Sequence, residues 1–360
     1  MTTTPVSRLA VRRTSSLAVT PAVAGHRGAS GHRPEHTLEA YRHAIALGAD
    51  EIELDLVSTA DGVLVARHES ELSVTTDVAD RPELAHRRST RVVDGRPVEG
   101  WFVEDLTLDE VRLVRARERW PALRAGSAAY DGVLGVPTFD EVLTMLAEES
   151  ARHGRSVGVL VELKDPAHSA SLGLDLAEPL LDDLRRHRRD HSRSRVSVMS
   201  FEPTVLRSLA GRTRVPLIQL VERLDERPAD WAMTGDPRTF ADLVTPAGLA
   251  LVERYADGIG ARHSLVAHDA GDRVLPTRLV RDAHREWLSV HVWTLRAEDR
   301  FLPAAFRGGD GPAGHGDLRG YAALLLEMGV DGLITDQPEL CGRTAPAAAS
   351  ARRRRPRRRW

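Results

Sequence analysis

The stretch AVAGHRGASGHRPEHTLEAYRHAIALGADEIELDLVSTADGVLVARHE, residues 22–69, sets the fold expected for the whole chain. Its first three residues are apolar and predict a buried strand, which a glycine-containing loop follows. Residues 37–47 carry apolar side chains at helical spacing before a glycine stop. Residues 52–57 alternate between two faces and predict a second strand, and the Asp61-Gly62 turn leads to a further extended run, 63–65.

Four polar residues of this stretch are candidates for catalysis. Glu53 and Asp55 lie two apart on the predicted second strand, so their carboxylates point to the same side. Such a pair disfavours ionisation of one member unless a cation lies between them, and oxygen ligands suit Mg²⁺ or Ca²⁺. His26 and His68 each follow a predicted strand, so both can lie at the same end of the sheet. Two imidazoles beside a hard metal ion would provide acid–base catalysis for cleavage of a phosphodiester.

The same stretch resembles the glycerophosphodiester phosphodiesterases. The motifs that carry this resemblance are H-R-G at His26–Gly28, P-E-x-T at Pro34–Thr37, E-x-D at Glu53–Asp55, D-G at Asp61-Gly62, and His68. Their order and spacing fit the family, and the combination is far more specific than any single motif. One position departs from the family's commoner P-E-N-T loop, because His36 replaces the asparagine. We interpret this departure as a tolerated variant.

Later segments extend the resemblance over residues 22–340 and to the larger, periplasmic-type branch of the family. These segments are VELK at Val161–Lys164, LIQLV at Leu217–Val221, YADGIG at Tyr255–Gly260 and DGLITDQP at Asp331–Pro338. The resemblance implies hydrolysis of glycerophosphodiesters, such as glycerophosphocholine and glycerophosphoethanolamine, to sn-glycerol 3-phosphate and an alcohol. It also implies one divalent cation, Ca²⁺ or Mg²⁺.

Strand and helix patterns alternate about eight times over residues 21–342, which predicts an α/β fold of the TIM (β/α)8 barrel type. Segment 72–135 breaks the alternation and is predicted to be an insertion after strand two, with a short helix near 107–117. The insertion resembles the family's own, and it is either a wall of the substrate pocket or a structural cap. Longer helices are predicted at 138–153 and 169–189.

The end of the third predicted barrel strand repeats the spacing of the first acidic pair. Glu162 and Lys164 stand two apart where barrel enzymes place their active sites, and a structural ion pair is the alternative interpretation. Lys164 is also the only lysine, against 49 arginines. The resemblance assigns Glu53, Asp55 and Glu162 to the metal and the two histidines to proton transfer. Charge balance with a bound phosphodiester assigns Arg27 and Lys164 to the substrate.

Weaker candidates follow from strand register. Gln219 and Trp293 fall at the ends of the predicted fifth and seventh strands and are expected to face the barrel mouth, where each could contact the glycerol moiety. Trp293 is equally well explained as a core aromatic residue. His32, His36 and His43 lie near the site in sequence, and we expect them to be solvated or to have a capping role.

Composition limits the class of protein. The chain has 360 residues, a formal net charge of −2 and 42% hydrophobic residues, as expected for a soluble globular protein. No apolar run approaches the length of a membrane span, and the single cysteine, Cys341, excludes an intrachain disulfide. The N-terminal segment 1–20, expected to be flexible, contains Arg12-Arg13 but no separate apolar signal region. A cytoplasmic location is therefore expected, with a secreted or periplasmic location as the alternative.

The C-terminal segment 343–360 is rich in Ala and Pro and then in Arg, which predicts disorder. Its last nine residues hold seven arginines, and removing these charges leaves −9 on the rest of the chain. One rival function is therefore a non-catalytic protein whose tail binds polyanions. Another is a phospholipase D-like barrel acting on lysolipids, which would need an apolar patch. We expect a small-molecule substrate, no requirement for nucleic acid, and a tail that could contact polyanions.

Overall fold

The computed structural model describes residues 21–93, 95–309 and 311–342. The predictions of a flexible segment 1–20 and a disordered basic tail 343–360 lie outside these residues, and the cellular location stays a prediction. Among the described helices, none combines the length and apolar character needed to cross a lipid bilayer.

Eight parallel strands close into a barrel, because the first strand pairs with both the second and the last. The described strands are β1 (Ala22–Gly25), β2 (Glu51–Ser58), β3 (Leu64–Ala66), β4 (Ser89–Val93), β5 (Arg96–Gly100), β6 (Gly158–Leu163), β7 (Val196–Ser200), β8 (Leu217–Val221), β9 (Gly258–Arg262), β10 (Ala267–Asp269), β11 (Val274–Pro276), β12 (Ser289–Leu295) and β13 (Gly332–Thr335). The barrel consists of β1, β2, β6 to β9, β12 and β13. This architecture confirms the predicted TIM barrel.

Helices lie between the barrel strands and cover their outer faces. The described α-helices are α1 (Leu38–Ala46), α2 (Leu108–Val111), α3 (Ala125–Ala128), α4 (Phe139–His153), α5 (Pro166–Ser171), α6 (Ala177–Arg186), α7 (Pro203–Ala210), α8 (Ala229–Thr234), α9 (Phe240–Leu243), α10 (Pro246–Val252), α11 (His263–Val266), α12 (Leu279–Arg285), α13 (Leu318–Glu327) and α14 (Pro338–Cys341). Short 3₁₀ helices lie at 78–80, 82–87, 103–105, 299–301 and 304–306. α4 shows why boundaries follow the sequence: Thr138 and Glu141 form a capping box, and Gly154 ends the helix at φ 60°.

The two faces of β2 explain how one strand serves both the core and the site. Ile52, Leu54 and Leu56 are fully buried in the main hydrophobic core, against the surrounding helices. Glu53 and Asp55 alternate with them and therefore point into the barrel. The small apolar cluster inside the barrel consists of Ala24, Leu160, Met199, Ile218, Leu220 and Ile334. The carboxylates of Glu53 and Asp55 thus lie beside the apolar cluster that fills the barrel interior.

The segment after strand two forms a separate layer, as predicted for an insertion. β3 pairs antiparallel with β2 and extends it into a hairpin. The insertion then folds over this hairpin around its own apolar cluster, which includes Leu72, Leu84 and Trp101. Within it, β4 and β5 form an antiparallel hairpin that the sequence patterns did not indicate.

Two helix predictions were wrong in extent. The helix predicted near 107–117 is the single turn α2, and the chain then enters isolated bridge pairings at Arg115 and Ala116. The helix predicted at 169–189 is broken into α5 and α6, because Gly173 adopts φ 79° between them. The polar segment after β8 contains the short helix α8.

Gly28 provides a test of the loop that carries the first histidine. Its φ is 87°, and a Cβ there would meet the backbone of Ala40 at 2.5 Å. We expect Gly28→Ala to lower the free energy of unfolding by about 2–5 kcal/mol, because left-handed strain and overpacking add. Gly62→Ala is the matched control, since its φ is 80° but no atom lies within 4 Å of the added Cβ. Urea unfolding should show a loss of about 1–2 kcal/mol for the control, and equal losses in both variants would contradict the packing argument.

Candidate active site

A cavity of about 1170 Å³ opens at the carboxyl ends of the barrel strands. Its floor is barrel residues such as His26, Glu53 and Glu162, and its far wall comes from the segment after β12. The insertion supplies Val74, Arg91, Val92, Val98, Phe102 and Glu104 to the lining. The insertion therefore walls the pocket, which was one of the two roles open from the sequence.

Three carboxylates meet at the base of this cavity. Asp55 on β2 and Glu162 on β6 are direct partners in the parallel register, and Glu53 lies one pleat earlier on the same face. One oxygen from each residue lies within 4.8 Å of the others. Their relative exposures are only 3%, 1% and 7% for Glu53, Asp55 and Glu162. The structure thus brings the three predicted metal ligands together.

The pKa values of the three carboxylates reflect their crowding. Burial, reinforced by Asp55, raises the pKa of Glu53 well above its usual range. Burial also raises the pKa of Glu162 to about 8, although Lys164 opposes this shift. Burial acts the same way on Asp55, but Arg27 and Lys164 hold its pKa well below the ordinary value. An oxygen-only donor set of three carboxyl groups, whose charge Arg27 and Lys164 compensate only in part, fits a hard divalent cation.

Arg27 ties the first loop to this cluster. It adopts φ 54°, and its backbone N–H donates a hydrogen bond to Glu53 Oε2 at 2.9 Å. Its guanidinium lies 3.3 Å from Asp55 and donates to Glu35 Oε1 at 3.0 Å. Arg27 also lines the cavity, while much of its charge is directed to the carboxylates, and its contact with the substrate stays a prediction.

His36 corrects one sequence-based prediction. It is 1% exposed rather than solvated, and its Nε2 lies 2.9 Å from Asp55 Oδ2. Its Nδ1 lies 2.9 Å from the hydroxyl of Tyr41. The third position of the P-E-x-T loop therefore orients a carboxylate of the cluster. His32 pairs instead with Glu339, away from the cavity lining.

His26 follows β1 and lies in the cavity with a carboxylate behind it. Its Nδ1 lies 2.7 Å from Asp336 Oδ1, and its Nε2 lies 3.4 Å from Thr294 Oγ1. Burial, with Arg27 next in size, lowers the pKa of His26 to about 4, although Asp336 acts in the opposite direction. An ionised carboxylate can only accept, so Nδ1 carries the proton and the lone pair of Nε2 is left for the cavity.

His68 has the same kind of support on the other side of the cavity lining. It follows β3, and its Nδ1 lies 2.7 Å from Glu69 Oε1. Burial, and then the charges of Arg27 and Lys164, lower the pKa of His68 to about 3. Each of the two predicted histidines thus presents Nε2 to the cavity and uses Nδ1 for a carboxylate.

The remaining predicted residues divide. Lys164 lines the cavity, with Nζ 2.8 Å from Glu162 Oε1 and 5.7 Å from the Phe201 ring centre. Trp293 also lines it and packs edge-on against Phe201 at 5.6 Å, in a lining position and not deep in the core. The prediction that Gln219 faces the barrel mouth was wrong. It is fully buried outside the cavity lining, donates to the Ser200 and Phe201 carbonyls, and accepts from Tyr255.

Several polar residues of the site were not among the site residues predicted from the sequence. They are Glu35, Glu69, Arg119, Arg124, Glu298, Arg296 and Asp336, which form ion pairs around the two histidines. Asp336 lies in the DGLITDQP segment that contributed to the family resemblance, so a search for a histidine partner could have started there. Arg119 and Arg124 are two among 49 arginines, and nothing local distinguishes them.

Comparison with known proteins decides the family. The model of the glycerophosphoryl diester phosphodiesterase family matches residues 26–340. The chain belongs to this family. That match confirms the resemblance drawn from the motifs and places the chain among enzymes that hydrolyse glycerophosphodiesters.

Individual relatives agree with this assignment. A glycerophosphodiester phosphodiesterase of Arabidopsis thaliana is 31% identical over 325 residues, covering 86% of this chain and 82% of the relative. One of Haemophilus influenzae is 28% identical over 342 residues, covering 88% and 87%.

Solved structures support the fold. A Silicibacter pomeroyi protein described as a glycerophosphoryl diester phosphodiesterase has a TM-score of 0.64 at 23% identity, covering 91% of this chain and 95% of that one. An Oleispira antarctica phosphodiesterase, solved with the product sn-glycerol-3-phosphate, has a TM-score of 0.58 at 18% identity, with coverages of 91% and 97%.

The acidic cluster makes a prediction about stability. Glu53→Gln should raise the melting temperature of the metal-free protein by about 2 °C or more, because a neutral amide avoids the cost of burying a carboxyl group whose pKa is raised by burial and by Asp55. We expect Ca²⁺ or Mg²⁺ to raise the melting temperature of the unaltered protein, and the same change should abolish that rise. Glu222→Gln is the control, since Glu222 lines the cavity outside the cluster. Differential scanning fluorimetry with and without metal measures both effects, and an undiminished metal response in Glu53→Gln would contradict the ligand assignment.

Proposed function

We propose that the enzyme hydrolyses soluble glycerophosphodiesters, such as glycerophosphocholine and glycerophosphoethanolamine, to sn-glycerol 3-phosphate and an alcohol. The observation that carries this proposal is the pairing of two carboxylate-supported histidines, His26 and His68, in one cavity with a three-carboxylate cluster. Neutral histidines at the mouth of a barrel are suited to move protons at phosphorus and at the leaving oxygen. The cavity of about 1170 Å³ is large enough for a small polar diester.

The two histidines divide the proton transfers. One neutral imidazole removes a proton from the attacking water molecule, whose oxygen joins phosphorus, and the other, as imidazolium, protonates the alkoxide that leaves phosphorus as the alcohol. The bond from phosphorus to the attacking oxygen forms as the bond to the leaving oxygen breaks, so the two groups act on opposite sides. The low pKa values of both histidines favour the neutral imidazole, which is the form that the general base needs. The negative charge of a bound phosphodiester would favour protonation of the histidine that acts as the acid.

The cationic residues hold the phosphate. Lys164 and Arg27 line the cavity beside the carboxylates, where they can neutralise a phosphodiester anion. Glu53, Asp55 and Glu162 would hold one divalent cation, Ca²⁺ or Mg²⁺. When bound, such an ion neutralises charge on the phosphate oxygens. Trp293 is proposed to contact the glycerol moiety from the opposite wall.

Lysolipids are a second candidate class of substrate, on one observation. Val74 and Val92 of the insertion line the cavity and are 57% and 73% exposed, so an acyl chain would find apolar surface at the mouth. Two valines amid charged neighbours such as Arg91 and Glu104 are a small patch, and the soluble diesters are the preferred assignment.

Product release from purified protein tests the proposed function. Sn-glycerol 3-phosphate should appear from glycerophosphocholine, stop in EDTA, and resume with Ca²⁺ or Mg²⁺. His26→Ala and His68→Ala should each reduce kcat by about 10²–10⁴ without loss of fold by circular dichroism. Lysophosphatidylcholine is the parallel substrate. Faster turnover of the lysolipid would replace the preferred substrate class, and full activity after exhaustive chelation would remove the metal from the proposal.

Lys164→Arg should reduce kcat/KM by about tenfold or more even though the charge is kept. Burial acts to lower the pKa of Lys164, but the charges of Glu162 and then Asp55 outweigh it and raise the pKa. Lys164 is therefore a permanently charged ammonium group in a confined position. A longer, planar guanidinium cannot occupy that position at 2.8 Å from Glu162 Oε1 without moving the cluster. Arg262→Lys, at the cavity rim, is the control for a change of cation type. Wild-type kinetics for Lys164→Arg would mean that the cation's shape has no role.

A further inference from the structure

The two catalytic histidines are supported by two different carboxylates, and both carboxylates are held by one short piece of the insertion. This piece, residues 119–124, is called the arginine bridge here. Its first residue, Arg119, donates to both oxygens of Glu69 at 2.7 Å. Its last residue, Arg124, donates to Asp336 Oδ2 at 2.6 Å. The other oxygen of Asp336 contacts His26, and Glu69 Oε1 contacts His68.

The contacts of Arg119 and Arg124 anchor the bridge at both ends. Arg119 also forms a paired hydrogen bond with Glu35, at 2.8 and 2.7 Å, and Glu35 in turn contacts Arg27. Arg124 also donates to Glu298 Oε1 at 2.6 Å and to the carbonyl of Ser30 at 3.0 Å. Pairs of this geometry fix direction as well as distance, because a guanidinium presents its donors in a rigid plane.

The bridge itself is a rigid turn. The backbone N–H groups of Leu123 and Arg124 donate to the carbonyl of Trp120 at 2.8 and 2.9 Å. The Trp120 ring lies 4.9 Å from the guanidinium carbon of Arg124 and 5.2 Å from that of Arg296. Arg296 donates to the same oxygen of Asp336 as Arg124 does. Arg124 is 6% exposed and Asp336 is 1% exposed, so water competes little for these bonds.

We propose that the arginine bridge is a positioning element that sets the orientation of both His26 and His68 through Asp336 and Glu69. This proposal rests on the proposed function, in which those histidines are the acid and the base. A carboxylate behind an imidazole fixes both its tautomer and its ring direction, so its own orientation must be fixed as well. Because both outer contacts come from one turn of the insertion, the insertion aligns the catalytic groups in addition to enclosing the substrate.

The test compares two substrates that differ in their need for a general acid. Glycerophosphocholine releases an alkoxide that needs a proton, whereas the p-nitrophenyl ester of glycerol 3-phosphate releases a stable phenolate. The measured quantity is the ratio of kcat/KM on the first substrate to kcat/KM on the second. This ratio is taken on one preparation, so it does not depend on the fraction of protein that is folded.

The variants fall into two arms and a control. Arg124→Gln and Asp336→Asn alter the support of His26, and Arg119→Gln and Glu69→Gln alter that of His68. Arg87→Gln is the control, because it removes an ion pair with Glu110 within the insertion, at 2.7 and 3.0 Å, that touches no histidine.

Each arm should behave as its own histidine does. For the variants that support the histidine acting as general acid, the ratio should fall about tenfold or more, and the Ala variant of that histidine should show the same fall. In the arm of the base, kcat should fall about tenfold or more on both substrates with KM little changed. Arg124→Lys and Arg119→Lys should lose less activity than the corresponding Gln variants, and Arg87→Gln should match the unaltered enzyme.

Two contrary results are distinguishable. If a histidine variant changes the ratio but the arginine variant behind that histidine, Arg124→Gln or Arg119→Gln, does not, the arginine bridge has no positioning role and the acid–base assignment stands, whatever the effect of Asp336→Asn or Glu69→Gln. If neither His26→Ala nor His68→Ala changes the ratio, neither is the general acid, and the assignment falls together with the bridge. Release of glycerol 3-phosphate by the unaltered enzyme separately decides the proposed substrate class.

Discussion

Three carboxylates buried at one end of the barrel are the constraint on which the rest of the site depends. Glu53, Asp55 and Glu162 are each less than 10% exposed and share a space of a few ångströms. Such a group is unfavourable unless positive charge surrounds it. Arg27 and Lys164 provide part of that charge. The left-handed backbone conformation of Arg27 places both its backbone N–H and its guanidinium against the cluster.

Positive and negative side chains alternate in a network of ion pairs that extends outward from the three carboxylates. Arg27 contacts Glu35, Glu35 contacts Arg119, and Arg119 contacts Glu69 behind His68. On the other side, Asp336 lies between His26 and two arginines. Buried charges of this kind are stable only when their partners are fixed, which makes the surrounding shell as ordered as the cluster itself. The same order is what acid–base catalysis needs, because proton transfer depends on short distances and direction.

The sequence predicted the parts of the site that depend on local pattern. The alternation over β2 gave the face of Glu53 and Asp55, and strand ends gave the cavity positions of His26 and His68. The prediction that Gln219 faces the barrel mouth was wrong. Alternation along a strand indicates which face a side chain is on, but not how far it lies from the mouth. Tyr255 and neighbouring backbone carbonyls enclose the Gln219 side chain below the cavity lining. The ion pairs of Arg119 and Arg124 join residues 50 to 212 positions apart. Contacts at such separations arise from the closed fold, and no local spacing encodes them.

The pairing of His26 with Asp336 spans 310 residues, nearly the full length of the barrel. Asp336 follows β13, which completes the barrel by pairing with β1. During synthesis, the first histidine leaves the ribosome hundreds of residues before its carboxylate exists. A nascent chain can therefore fold its early strands and insertion without an oriented catalytic pair. A chain that ends before β13 therefore lacks the His26–Asp336 pair, and the pair can form only when β13 joins β1 and closes the barrel.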